Sequence, residues 1–250
     1  MTTHRIVSLA PSATAILAAI DAEDAIVGAT AHCDTDAPTI GGWLTPDRDR
    51  LARADPSIVF TADALQADLV DILRADGYQV CHVEPTTLDE VFRSFLTVGS
   101  AVDRREEAEA LIRRERARVA AVRTAVEGRS RPVVYAEEWG RPPMAAGNWV
   151  PDAIAAAGGR YPFVDPGERS ARVDAGTVED VDPDLVVLHH CGAGERTDPS
   201  VFSDRSWVVD APVEVLHDDL LNQPSPRLID GIVALAPLCH PEAKLAAPVA

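Results

Sequence analysis

Residues 102–128, VDRREEAEALIRRERARVAAVRTAVEG, run without glycine or proline until Gly128 supplies a stop. Oppositely charged side chains recur four positions apart, the separation at which they meet on a helix surface. At 1.5 Å per residue, a helix of about 25 residues spans roughly 38 Å, the width of a small lobe. A stiff rod of that length admits two architectures. It is either a surface helix of one large domain or a connector between two smaller ones.

The flanking sequence has the same texture on both sides. Upstream, the β-rich runs RIVSL, AIVGA, SIVF and YQVCHV are separated by Ala- and Leu-rich segments of helical period. Downstream, RPVVYA, DLVVLHH, SWVVD and VEVL repeat the alternation. Short strands alternating with helices mark βαβ units and a mostly parallel sheet. With 250 residues, 46% of them hydrophobic, there is enough chain for two small cores. The expected layout is an α/β lobe over residues 1–98, a helical connector over 99–129 and a second α/β lobe over 130–250. The connecting helix itself is expected from about Asp103 to Val126.

Forty acidic residues against 23 basic ones give a net charge of −17, and Lys244 is the single lysine. Such a field repels phosphate backbones and anionic bilayers, so nucleic acid is not an expected partner. The imbalance suits salt-rich surroundings, and a base-composition bias toward Arg, Ala, Val and Asp would produce it as well. Cys33, Cys81, Cys191 and Cys239 lie far apart with no CxxC pair, which points to free thiols in a reducing compartment. In the opening HRIVSLAPSATAILAAI, the polar Ser8, Ser12 and Thr14 and the proline Pro11 break the apolar run. The segment reads as a strand from Arg5 to Leu9, a turn at Ala10–Pro11 and a helix capped by Ser12 or Thr14. No run approaches 18 apolar residues, so direct membrane insertion is not expected. With a strand starting near residue 4 and no leader or lipobox ahead of it, a cytoplasmic location is expected, or an extracellular or membrane-associated one if the start is truncated.

Five stretches occur in a telling order: RIVSLAPSATAIL, VGATAHCD, EEWGRPPMAAGNWVPDAIAAAGG, DPDLVVLHHCG and PSPRLIDGI. In that order the chain resembles, over nearly its whole length, the cobalamin-type substrate-binding proteins of ABC transporters, within the helical-backbone metal receptor superfamily. The resemblance implies a class III periplasmic-binding-protein-like α/β fold, with two Rossmann-like lobes joined by a single long interdomain helix. It also implies a cleft between the lobes that clamps a corrinoid (cobalamin), an iron-siderophore or haem with little hinge motion. No cofactor is required, the metal chelate being the ligand, and the implied protein partner is an ABC permease.

A planar macrocycle presents a large apolar face and a polar fringe, and its site needs rigid aromatics and a few oriented donors. Trp139, Trp149, Pro142 and Pro143 offer such a wall, with Arg141 and Asn148 as polar contacts. Alternatively, Trp149 staples the start of a helix over Pro151–Ala157 that ends at Gly158–Gly159. In LAPSAT, Ser12 and Thr14 are candidate donors or plain helix caps. The loop at residues 30–43 places His32, Cys33 and Asp34 together and offers Trp43 on a mobile tether. His189, His190 and Cys191 follow the strand DLVVL, where open α/β sheets place ligands. With His32 and Cys33 they would make a soft-metal or axial cobalt ligand set. Adjacent histidines on an extended segment face opposite ways, so at most one of them reaches a given site. Glu138, beside Glu137, is a ligand contact or part of a solvated rim. No nucleophile elbow, P-loop, GxGxxG or HExxH motif is present. The alternative to binding is a metal-dependent α/β enzyme using His32, Asp34, Glu138 and His189.

Overall fold

A computed structural model describes residues 4–242. The chain divides into two compact units. One takes in the chain up to Pro85 together with Glu90–Arg114; the other takes in Thr86–Asp89 and the chain from Glu115 onward.

The first unit is built on a five-stranded sheet in the order β3-β2-β1-β4-β5, all parallel. The strands are β1 (Ile6–Ser8), β2 (Ile26–Thr30), β3 (Thr39–Gly41), β4 (Ile58–Ala62) and β5 (Val80–Val83). Its helices are α1 (Pro11–Ala19), α2 (Arg48–Ala54), α3 (Ala67–Ala75), most of α4 (Leu88–Ala101) and the first half of α5 (Arg105–Val126). Central β1 has neighbours on both edges and is buried throughout, as a short apolar run in a parallel sheet requires. Val7, Leu9, Ile40, Leu51, Val59 and Leu73 form one core cluster.

Helix α1 is not capped by Ser12 or Thr14. Ala10 is its N-cap, without a side-chain bond, and Pro11 opens the first turn, where a missing N–H costs nothing. Between α4 and α5 the chain turns at Asp103, whose φ is 58°, so the helix starts at Arg105. A Cβ at Gly99 would meet the Cβ of Ala108 and the carbonyl of Arg104, so α4 and α5 cross where one side chain is missing. Helix α5 is continuous for 22 residues. Its residues up to Arg114 belong to the first unit and those from Glu115 to the second.

The second unit has a mixed sheet in the order β10-β9-β6-β7-β8. Strands β6 (Val134–Gly140), β9 (Leu185–Leu188) and β10 (Val213–Val215) are parallel, while β7 (Pro143–Ala145) and β8 (Ala171–Arg172) add antiparallel ribbons. Around it lie α6 (Val150–Ala156), α7 (Ala175–Val181), α8 (Ser200–Ser203), α9 (Asp219–Asn222) and α10 (Pro226–Cys239). The run SWVVD, expected as a strand, is not one. Residues 206–210 are irregular, pair with no strand, and Val208 is 82% exposed. The core of this unit is aromatic: Tyr135 lies 5.1 Å from Phe163 and 5.9 Å from Phe202, ring centre to ring centre.

Candidate binding site at the end of β6

Alternate residues of a strand share a face, and in β6 that rule puts Glu137 on the same side as the fully buried Tyr135. Glu137 is itself completely buried. A bare carboxylate there would be costly, and four short bonds offset the cost. Oε2 accepts from the Tyr135 hydroxyl at 2.7 Å and from Arg205 Nη1 at 2.7 Å. Oε1 accepts from Arg205 Nη2 at 2.8 Å and lies 2.9 Å from His190 Nε2. Burial alone would raise the Glu137 pKa, but the bonds from His190, Arg205 and Tyr135 hold it below the usual carboxylate range. Arg205 is fixed in turn over the ring of Trp207, 4.6 Å from its centre, and beside that of Phe202 at 5.4 Å.

Above this ion pair opens a depression of about 850 Å³, within the size range of small-molecule sites. The β6–β7 hairpin contributes Trp139, Gly140, Arg141 and Pro143 to its lining, and His190, Arg205 and Trp207 line it as well. Trp139 is 46% exposed, unusual for so large an apolar ring. Its indole is tethered by a bond from Nε1 to the Arg141 carbonyl at 2.9 Å. Trp139, Arg141, Pro143 and His190, all read from the sequence as candidates, therefore come together here.

Other candidates in the same unit do different work. Trp149 is buried, stands at the N-cap of α6 and donates from Nε1 to the Leu221 carbonyl at 2.7 Å. It is a core residue and no part of the wall. Asn148 adopts φ 52°, its N–H donates to the Glu168 carbonyl and its carbonyl accepts from Gly167, so its backbone fixes a turn. Beside it, a Cβ on Gly147 would run into the backbone of residues 168–170, which is why glycine stands there. Glu138, one residue out of phase with Glu137, is half-buried and does not line the depression. Cys191 is exposed as a residue, but packing around its thiol, and then Glu138 and Asp218, push its pKa up to about 12. Asn222 Nδ2 donates to that sulfur at 3.1 Å. With no metal beside it, such a thiol stays protonated at neutral pH.

The two adjacent histidines do face apart. His190 lines the depression, whereas His189 is fully buried, with Nδ1 2.6 Å from Asn222 Oδ1 and Nε2 buried without a partner. Burial dominates there and lowers the His189 pKa from 6.5 to about 4. Between those values the folded ring binds fewer protons than the unfolded one. This contribution to stability is therefore complete above pH 6.5 and lost as pH falls toward 4, about 3 kcal/mol in all. Glu137 behaves as a depressed acid, and its contribution begins to fade only below 4.5. Urea midpoints measured from pH 7.5 to 4.5 are expected to fall for the wild type and to flatten in His189→Asn. An unchanged slope in that variant would contradict the assignment.

In the first unit, Ser12 and Thr14 are both buried. Thr14 Oγ1 donates to Ser8 Oγ at 2.8 Å and lies 3.3 Å from the Ala10 carbonyl, so it braces the β1–α1 turn. Cys33 Sγ packs 3.3 Å from Thr30 Oγ1 and 3.7 Å from the Ser8 carbonyl. His32 and Asp34 are exposed. Trp43, expected on a mobile tether, is half-buried, and its carbonyl accepts from the buried Gln66 Nε2 at 2.7 Å. The neighbouring Gly42 N–H is tied to the Thr45 carbonyl.

Among the described residues, one group of three metal-capable side chains has its ligand atoms within 4.8 Å of one another: His217, Asp218 and Asp219, beyond β10. None of the four residues of the enzyme alternative belongs to it. Both Asp218 oxygens already accept backbone N–H groups, from Gly192 and Gly194. No helix among the described residues is long and apolar enough to cross a membrane.

Glu137, Arg205 and Trp207 lie in or directly beneath this depression, and sequence reasoning did not select them. For Glu137 a signal existed, since the period of two set by buried Tyr135 lands on 137 and passes over 138. For Arg205, 68 residues away, nothing local marks it.

No curated protein matches the sequence significantly. Solved structures do. The periplasmic heme-binding protein RhuT from Roseiflexus sp. RS-1 is 22% identical, with 96% of this chain and 99% of that one covered at a TM-score of 0.81. The periplasmic vitamin B12 binding protein BtuF of Vibrio cholerae is 20% identical, over 93% and 95%, at 0.76. The heme complex of IsdE from S. aureus is 16% identical, over 95% and 99%, at 0.81. At these identities the likeness shows the shared fold. A family model described as periplasmic binding protein matches residues 6–207. It overturns the expected cytoplasmic location, which had leaned on the few residues ahead of β1 rather than on the fold. With most of its 250 residues inside that match, the chain belongs to the periplasmic binding protein family.

Proposed function

We propose that the protein is a substrate-binding protein that holds a corrinoid or a related metal chelate, haem or an iron-siderophore, for delivery to an ABC-type permease, and that it does no chemistry on its cargo. The observation that carries this reading is the depression at the end of β6, where the half-exposed Trp139 stands with Pro143, Arg141 and His190. An apolar ring face with a few polar groups around it is what a flat macrocycle needs. The family is one of binding proteins, and the relatives described above as heme-binding and vitamin B12 binding share the fold.

The test is a fluorescence titration against cobalamin, hemin and a ferric siderophore, repeated on Trp139→Ala. A desolvated aromatic anchor contributes about 2 kcal/mol, so the affinity is expected to drop roughly thirtyfold. The denaturant midpoint is expected to stay near wild type, because the ring is exposed in the free protein. Unchanged affinity for every chelate bound would remove Trp139 from the site and the reading with it.

A further inference from the structure

Residues 207–212 pair with no strand, yet their side chains keep the alternation of one. Trp207, Val209 and Ala211 pack against the core cluster of the second unit, and Val213 and Val215 of β10 continue the series. Val208, Asp210, Pro212 and Glu214 are all exposed. A period of two therefore holds from Trp207 to Val215, and the segment runs extended into β10. The backbone alternates in the same phase. Val208 N–H donates to Glu179 Oε1 at 2.8 Å, the Pro212 carbonyl accepts from the Val186 N–H at 2.9 Å, and Leu216 N–H donates to the Leu188 carbonyl at 3.0 Å. These even-numbered positions turn inward, to α7 and β9. In an extended chain the odd-numbered positions then turn their N–H and C=O groups to the opposite edge. Strand β10 is the last of its sheet, and among the described residues the backbone groups of Val209, Ala211, Val213 and Val215 have no hydrogen-bond partner. One free edge thus runs from Val209 to Val215, a template for a further strand. The usual guards of such an edge are missing. Strand β10 pairs with β9 without a shift of register, and no lysine or arginine stands between Trp207 and Leu216. Pro212 lacks its N–H on the inward side, where the free edge loses no donor.

We propose that this edge takes up an extended, basic segment of another protein as an additional strand. Main-chain bonds supply the attachment, and the exposed side chains supply the choice of partner. Asp210 and Glu214 stand on the solvent face with Val208, so the matching strand carries Lys or Arg opposite the two acids and an apolar residue opposite the valine. A second copy of this chain is a poor occupant. It brings the same two acids to the edge, and each copy carries a net charge of −17. The proposal does not depend on what the depression at the end of β6 holds.

The test titrates the full chain with two synthetic peptides, one alternating valine with lysine and the other valine with glutamate, while amide hydrogen exchange is read residue by residue. The lysine peptide is expected to bind, less tightly as salt is raised, and to slow exchange at Val209, Ala211, Val213 and Val215. Exchange at Val208 and Leu216, whose N–H groups are already bonded, should change little. Asp210→Lys combined with Glu214→Lys alters exposed side chains and should keep the denaturant midpoint. That variant is expected to lose about tenfold in affinity for the lysine peptide, because two cross-strand pairs turn from attraction to repulsion, and to bind the glutamate peptide instead. Val213→Pro removes one outward N–H with both acids in place and should abolish binding of the lysine peptide. If that variant does not fold, the charge reversal still decides. No binding of the lysine peptide, or binding that leaves those four amides unprotected, would overturn the proposal. Equal affinity for the two peptides would overturn it as well. So would protection of the edge that rises with protein concentration in the absence of peptide, which would assign it to a second copy.

Discussion

Arg205→Ala is expected to destabilise the protein by about 3–5 kcal/mol, the cost of leaving a buried charge without its partner. Glu137 is completely buried and keeps only Tyr135 and His190 when the guanidinium is gone. The loss should appear in the denaturant midpoint, and it should be steeply non-additive. Glu137→Gln combined with Arg205→Leu removes both charges, and that pair should recover much of what the single substitution loses. A midpoint for Arg205→Ala within about 0.5 kcal/mol of wild type, the range of an ordinary surface substitution, would mean that the pair contributes nothing.

Trp149→Ala is expected to cost a similar amount, about 3–5 kcal/mol, for a different reason. The indole is buried at the start of α6, and its N–H satisfies the Leu221 carbonyl just ahead of α10. Truncation opens a cavity and orphans an acceptor together. Trp149→Phe should separate the two, retaining most of the packing while losing the hydrogen bond, at about 1–3 kcal/mol. Affinity for a chelate should change in either variant only in proportion to the unfolded fraction. A direct loss of affinity with an intact midpoint would return Trp149 to the binding wall.

These two residues mark where the sequence was readable and where it was not. The alternation of strands and helices gave the two α/β units because period and composition are local properties. The same locality singled out Trp139 and His190, which share one depression in the structure and follow from one rule about the ends of parallel strands. It left Trp149 open between a binding wall and a helix staple, because a tryptophan before a helix looks the same in sequence whether its ring turns outward or down onto Leu221. It preferred Glu138 to Glu137, although one step of strand phase separates a half-buried side chain from a sealed one. It was silent on Arg205, whose importance arises wholly from a contact across 68 residues. The expected strand at residues 206–210 failed for a related reason: β propensity counts only where a segment pairs with a neighbouring strand, and this one pairs with none.

The arrangement at the end of β6 also separates what can drift from what cannot. Trp139, Arg141 and Pro143 stand on a hairpin with their side chains partly or wholly in solvent, and exchanging them costs the fold little. Tyr135, Glu137 and Arg205 lie one layer below, bound to one another, and a change in any of them strands the others. A lineage in search of a new cargo would find most of its viable substitutions in the upper layer, with the scaffold beneath insured against the experiment. By that logic, one such fold could be re-aimed at many chelates through a handful of hairpin replacements, without revisiting the ion pair that keeps the hairpin in place.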